Sequence, residues 1–256
     1  MTNVSDLIYE EARQIKALDC DFQQQLKPAA LLQHLSEVAG AHATHMGAGF
    51  EAVVAQGLLW VHARMKIRFY RFPTLDDPVT IRTWAKGIER RLLYMRDFEV
   101  LDANGKHLAA ATSAWLIIDG ATHRIVRPES LDLKLPTVES RVGLDEPLER
   151  IRLEASSWKP GEERLGVRAG YSAVDVLGHV NNSRYVEWIC DAFSLAVFKA
   201  HQPDWLQINY THEVLPEEEV SILVHRSARD PALWAVLGLN RTNDTRAFEA
   251  LLRWRD

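Results

Sequence analysis

Residues 60–70, WVHARMKIRFY, alternate without a break, with Ala63, Met65, Ile67 and Phe69 on one side and His62, Arg64, Lys66 and Arg68 on the other. Successive strand side chains point to opposite faces, so the pattern predicts a strand with one buried face. The same period runs through PVTIRTWAKG and through LLYMRDFEVLDANGKHLAAATSAWLIID, where Asn104-Gly105 predicts a hairpin turn. Ahead of them, residues 9–22 read as a strand. In LKPAALLQHLSEVAGAHATHMG, the residues Leu31, Leu35, Val38, His42 and His45 recur at helical spacing up to a stop at Gly47.

The order then repeats. RLGVRAGYSA reads as a strand and residues 180–200 as a helix with a core stripe of Tyr185, Trp188, Ile189, Ala192, Phe193 and Ala196. WLQINYTHEVL, EEVSILVHR, ALWAVLGLN and RAFEALLRWR follow as strands, and YRFPTLDDPVTI is echoed by YTHEVLPEEEVSI. We read an internal duplication of roughly a hundred residues per unit. A helix with one broad apolar stripe needs a sheet to cover it. The expected fold is therefore α+β, with two tandem units, each a curled antiparallel sheet wrapped around one long helix. The expected limits are 1–130 for the first unit, 131–157 for a proline- and charge-rich linker, and 158–256 for the second.

Bulk properties narrow the choices. A net charge of −5 over 256 residues does not favour non-specific binding to nucleic acid. No apolar run approaches the ~20 residues of a membrane span. The first twenty residues lack both a basic start before an apolar run and an acid-poor, Arg/Ser-rich character. Cys20 and Cys190, far apart and without metal-type spacing, fit a reducing compartment. The expected location is the cytoplasm.

Candidate chemistry gathers in DVLGHVNNSRYVEW. Asp175 and His179 stand four apart across a turn containing Gly178, directly before the start of the second helix. Asn181, Asn182 and Ser183 suit a helix cap, whose oxygens accept from unpaired backbone N–H groups. The positive end of a helix can also stabilise charge developing on an oxygen during acyl transfer. Glu213 joins as a third candidate, placed by alternation on the strand face opposite Tyr210 and His212. The first unit offers Gln25 opposite His179 and Phe72 or Pro73 opposite Glu213. The acid and the imidazole are thus expected in the second unit alone. His42 and His45 have no third ligand at matching spacing, so no metal or other cofactor is expected.

The combination of WVHARMKIRFYRFP, VTIRTWAKG, RDFEVLDANGKHLAAATSAWLIID and RIVRP with DVLGHVNNSRYVEW and INYTHEV resembles the acyl-acyl carrier protein thioesterases. These carry two hot-dog units in one chain. The resemblance implies hydrolysis of a fatty acyl thioester to free acid and carrier protein, with Asp175, His179 and Glu213 as catalytic residues. The backbone N–H groups of Gly178, Val180 and Asn181 would then polarise the carbonyl. The family pattern's middle Asn is Leu177 here, and the Cys of plant members is Val214. Single-unit acyl-CoA thioesterases often read Asp-x-Leu-Gly-His. Cys190, in mid-helix, reads as core rather than nucleophile.

The implied partner is acyl carrier protein bearing a phosphopantetheine-linked chain, held by the first unit in an apolar tunnel. Docking that acidic partner asks for a positive patch, and Arg64, Lys66 and Arg68 or Arg90, Arg91 and Arg96 are the stripes on offer. Other readings are an acyl-CoA thioesterase, a non-catalytic lipid- or acyl-binding protein, and a hydratase or dehydratase. The duplicated chain can satisfy hot-dog pairing internally, so monomer and homodimer are both consistent with it.

Overall fold

The computed structural model describes residues 7–131, 133, 135–153 and 161–255. It divides into two compact units, one ending at Leu148 and the other beginning at Glu149. In the first unit β1 (Tyr9–Gln14) precedes α1 (Pro28–His45) and the short α2 (Phe50–Val54). Then follow β2 (Leu58–Phe69), β3 (Pro78–Glu89), β4 (Leu93–Asp102), β5 (His107–Asp119) and β6 (Ile125–Val126). The strands run in the order β1-β3-β4-β5-β2, all antiparallel, with β6 added to β5.

The second unit contains β7 (Glu162–Arg168), α3 (Asn182–Asp191), α4 (Leu195–Ala200), β8 (Gln202–Tyr210), β9 (Glu219–Arg226), β10 (Leu233–Asn240) and β11 (Thr245–Arg255). Its antiparallel order is β7-β9-β10-β11-β8. With strands renumbered inside each unit, both orders are 1-3-4-5-2. The repeat expected from the sequence is a repeat of topology.

α1 begins on Pro28, where the missing N–H costs no helical bond, and buries Leu31, Leu35, Val38 and His42. Each fully buried leucine contributes about 1.5–3 kcal/mol. His45 is exposed, so the stripe ends at His42. The second helix is shorter than expected. It stops at Asp191, and Ser194 starts a separate turn-and-a-half, α4. The break lets Phe193 set its ring edge-on against Trp234 and Trp254, while Phe198 meets Trp254 from the far side of the break. Ala196 is exposed, outside the stripe assigned to it.

Three further expectations are corrected. A bulge between His62 and Arg64 interrupts the alternation of β2, and His62 is buried with its ring stacked on Trp115 at 4.2 Å. Lys66 is also buried, and both it and Arg68 are held by Glu146 at 2.6 Å. That stripe is therefore not a free positive patch. Arg96 leaves the second patch because β4 points it inward at His42 and Thr83.

The segment expected as a linker is a strap in its described middle part. Val138 donates to the Ala85 carbonyl, Arg141 pairs with Glu99, and Gly143 N–H donates to the buried carboxylate of Asp97. Val138 and Leu144 are buried.

Two buried imidazoles predict acid sensitivity. Burial pushes His62 down to about 3, and burial, followed by the charge of Arg96, pushes His42 down to about 4. In the unfolded chain both rings titrate near 6.5. Below that pH the unfolded state binds protons that the folded state refuses, so stability present above 6.5 is lost as pH falls toward 4. The urea midpoint should drop between pH 7 and 4.5, before most carboxylates titrate. His62→Phe, which keeps the stacked ring, should flatten the fall. An equal pH dependence in wild type and variant would show that the His62 ring does not cause it.

Candidate active site

The second unit approaches α3 through a tight turn. After a single 3-10 turn at Tyr171–Ala173, Val174 pairs with Val180 in an isolated bridge. Asp175 N–H donates to the His179 carbonyl, and Gly178 N–H donates back to the Asp175 carbonyl, both at 3.0 Å. Gly178 has φ +81°, where a residue with a Cβ is strained. The Asp175 carboxylate closes the turn on itself, because its Oδ1 accepts from Leu177 N–H at 2.9 Å. Its Oδ2 accepts from Asn181 Nδ2 at 3.3 Å. Asn181 also caps α3, its Oδ1 accepting from Ser183 N–H at 3.0 Å.

His179 is half-buried with Nδ1 3.7 Å from Asp175 Oδ1 and 3.4 Å from the Val180 carbonyl. A carbonyl only accepts, so the tautomer with its ring hydrogen on Nδ1 is the one that can donate to Val180, and that tautomer carries its lone pair on Nε2. The structure thus brings two of the three predicted side chains together at the amino end of α3.

Glu213 arrives differently from expectation. β8 ends at Tyr210, so Glu213 lies in the following loop rather than on a strand face, and it is exposed. The next residue ties that loop to the site, since the Val214 carbonyl accepts from Val180 N–H at 2.9 Å. Val214 also hydrogen-bonds the Tyr185 hydroxyl through its backbone. Burial raises the Tyr185 phenol, and the charges of Glu213 and Asp175 push it the same way. Both acids therefore act on one buried hydroxyl. Tyr185 was read as core from its helical spacing. It is buried there, one turn inside the capped helix, with its ring against Trp188, Tyr210 and Phe248.

The three backbone donors expected for a substrate oxygen are engaged within the protein. Gly178 N–H is held by Asp175, Val180 N–H by Val214, and Asn181 N–H by the Ala173 carbonyl at 2.9 Å. Among the described residues, the amides of His179 and Asn182 carry no such partner. Burial pushes the Cys190 thiol up to about 12, which keeps it protonated at neutral pH.

The first unit repeats the turn in detail. Asp21 N–H donates to the Gln25 carbonyl, Gln24 N–H donates back to Asp21, and Asp21 Oδ1 accepts from Gln23 and Gln25. Leu26 N–H meets the Pro73 carbonyl as Val180 meets Val214, and Lys27 N–H meets Asp19 as Asn181 meets Ala173. The matching bonds pair Asp21 with Asp175, Gln25 with His179 and Phe72 with Glu213. The acid is therefore present in both units, contrary to expectation, and only the imidazole and the second acid are confined to the second.

Within the first unit lies a cavity of about 770 Å³ between α1 and the sheet, lined by Ala39, Ala43, Trp60, Tyr94, Met95 and Trp115, among others. His42 stands nearby, but its Nδ1 receives Arg96 at 2.8 Å, an arrangement for a hydrogen bond rather than a cation.

Residues 6–130 match the family model of the acyl-ACP thioesterase N-terminal domain, and residues 157–255 match that of the C-terminal domain. The chain belongs to the acyl-ACP thioesterase family. Curated acyl-ACP thioesterase relatives include the chloroplastic oleoyl-acyl carrier protein thioesterase of Coriandrum sativum, 28% identical over 91% of this chain and 67% of that protein. The palmitoyl-acyl carrier protein thioesterase of Gossypium hirsutum is 28% identical over 81% of this chain and 52% of that protein. The chain thus spans between about half and two thirds of these plant relatives. Among solved structures, an acyl-ACP thioesterase from Bacteroides thetaiotaomicron aligns with a TM-score of 0.87 at 22% identity, covering 99% of this chain and 100% of that one. The 12:0-ACP thioesterase of Umbellularia californica aligns at 0.79 and 23%, covering 97% of each. The fold is the tandem hot-dog fold of these acyl-ACP thioesterases. No helix among the described residues is long and apolar enough to cross a membrane.

Proposed function

We propose that this chain hydrolyses fatty acyl-acyl carrier protein to free fatty acid and carrier protein. The observation that carries the reading is the Asp175–His179 pair, held by a closed hydrogen-bonded turn at the amino end of α3 within the family's motif. His179 Nε2, the free lone pair of the ring, takes a proton from water as the water oxygen bonds to the thioester carbon. Asp175, on the Nδ1 side, stabilises the imidazolium so formed. Collapse of the tetrahedral species breaks the C–S bond, and the Nε2 proton goes to the phosphopantetheine sulfur. Glu213, exposed in its loop, orients the water. The free amides of His179 and Asn182 are suited to the developing oxyanion.

The acyl chain occupies the cavity of the first unit, gaining about 0.8 kcal/mol per buried methylene. Acyl carrier protein is the partner this reading requires; of the two exposed arginines in the β3–β4 turn, Arg91 is paired with Glu129 at 3.0 Å, which leaves Arg90 for its acidic surface. The cytoplasm fits two free cysteines.

The test is release of free fatty acid from carrier-protein and CoA thioesters of equal chain length. Faster turnover on the carrier protein is expected, with that advantage shrinking as salt is raised. A preference for CoA moves the protein to the acyl-CoA thioesterases. Binding without any hydrolysis makes it an acyl-binding protein.

A further inference from the structure

The cavity wall includes polar side chains, Glu129 and Glu139 among them, and two of its polar groups, on Tyr94 and Arg96, are deeply buried with open hydrogen-bonding capacity. Tyr94 and Arg96 lie two apart on β4, so both project toward α1, and both line the cavity. Tyr94 is 6% exposed, and its hydroxyl has no hydrogen-bond partner among the described residues. Its ring is fixed edge-on against Trp60 at 5.0 Å, so the hydroxyl cannot readily swing out to solvent.

Arg96 is 7% exposed. Its Nη1 donates to His42 Nδ1 at 2.8 Å and to Thr83 Oγ1 at 3.1 Å, both neutral acceptors. A guanidinium has five N–H donors, and Nε and Nη2 have no acceptor among the described residues. No carboxylate there pairs with it. A buried charge is retained only where something polar meets it, and here the open side is the cavity.

We propose that the cavity is built for acyl chains bearing an oxygen substituent, a hydroxyl or oxo group, bound by the Tyr94 hydroxyl and the Arg96 guanidinium. This deepens the thioesterase reading and rests on it for the delivery of an acyl chain to the cavity. An oxo oxygen accepts from both donors, and a hydroxyl accepts from Arg96 while donating to Tyr94. A saturated chain drives water from the same wall and pairs with neither, the situation in which sites built for a hydroxyl reject analogues lacking it. One hydrogen bond to a charged donor corresponds to about 10- to 100-fold in affinity.

The experiment compares kcat/KM on hydroxyacyl-, oxoacyl- and saturated acyl-carrier protein of one chain length, with the oxygen stepped along the chain, in wild type and Tyr94→Phe. The expected result is a preference of about tenfold or more for oxygen at one position. Tyr94→Phe should bring the ratio of oxygenated to saturated kcat/KM at that position close to one. Equal or lower kcat/KM on every oxygenated chain, with the ratio unmoved by the variant, overturns the proposal while hydrolysis itself stands.

If no carrier-protein substrate is cleaved, the thioesterase reading has failed. Calorimetry with non-hydrolysable amide analogues of acyl-pantetheine then decides the cavity's preference. Tighter binding of the oxygenated analogue that Tyr94→Phe removes upholds the proposal, and equal binding or none overturns it. Arg96→Lys, which keeps the charge but loses the planar donors, provides the same readouts should Tyr94→Phe fail to fold.

Discussion

Replacing Asp175 by Asn should lower kcat by about 10²–10⁴ while leaving the unfolding midpoint nearly unchanged. The amide oxygen can still accept from Leu177 N–H, so the turn survives and only the long bond from Asn181 is lost. What disappears is the negative charge beside His179 Nδ1. Asp175→Ala is a poorer experiment, because it removes the turn and the charge together. The repeat supplies an internal control. Asp21→Asn makes the same change in the same turn of the unit that has Gln25 in place of the imidazole, and it should leave kcat untouched. Full activity in Asp175→Asn, or an equal loss in Asp21→Asn, would remove Asp175 from the chemistry. Steady-state kinetics and urea denaturation on the same preparations decide it.

The largest stability effect is expected from Trp84→Ala, a loss of about 3–5 kcal/mol. Trp84 is fully buried on β3, its Nε1–H donates to the Arg141 carbonyl at 3.3 Å, and the Arg141 guanidinium lies 5.0 Å over its ring. Gly143 sits so close that a Cβ there would be 3.2 Å from the indole. Truncation therefore opens a large void and releases the strap that runs from Val138 to Glu146. Trypsin should then cut at Arg141 faster than in wild type. A loss under about 1 kcal/mol with unchanged cleavage would mean that the strap is held by its other bonds, those of Val138, Arg141, Gly143 and Glu146, without the indole.

Local periodicity carried most of the fold. Strands such as β3 and β9 and the helix α1 are fixed by spacing between neighbours, and neighbours are visible in a sequence. Asp175 and His179 were legible for the same reason, being four residues apart in one turn. What stayed hidden depends on distant partners. Lys66 and Arg68 looked like a solvated face because Glu146, which neutralises them, is about eighty residues away. Arg96 looked exposed because no spacing announces a buried guanidinium meeting a histidine on another element. β8 ends at Tyr210 although alternation runs on to Glu213, since Thr211 and His212 both bond to the Ala247 carbonyl as the chain turns away.

The paired turns at Asp21 and Asp175 have a consequence for how such a protein acquires an activity. In both places the aspartate answers a geometric demand of the backbone, so the carboxylate is in position whether or not a reaction uses it. A duplicated architecture of this kind places a carboxylate at the entrance to the long helix of each unit for structural reasons alone. On the mechanism proposed above, activity then asks only for one imidazole and one neighbouring acid, neither of which the turn itself needs.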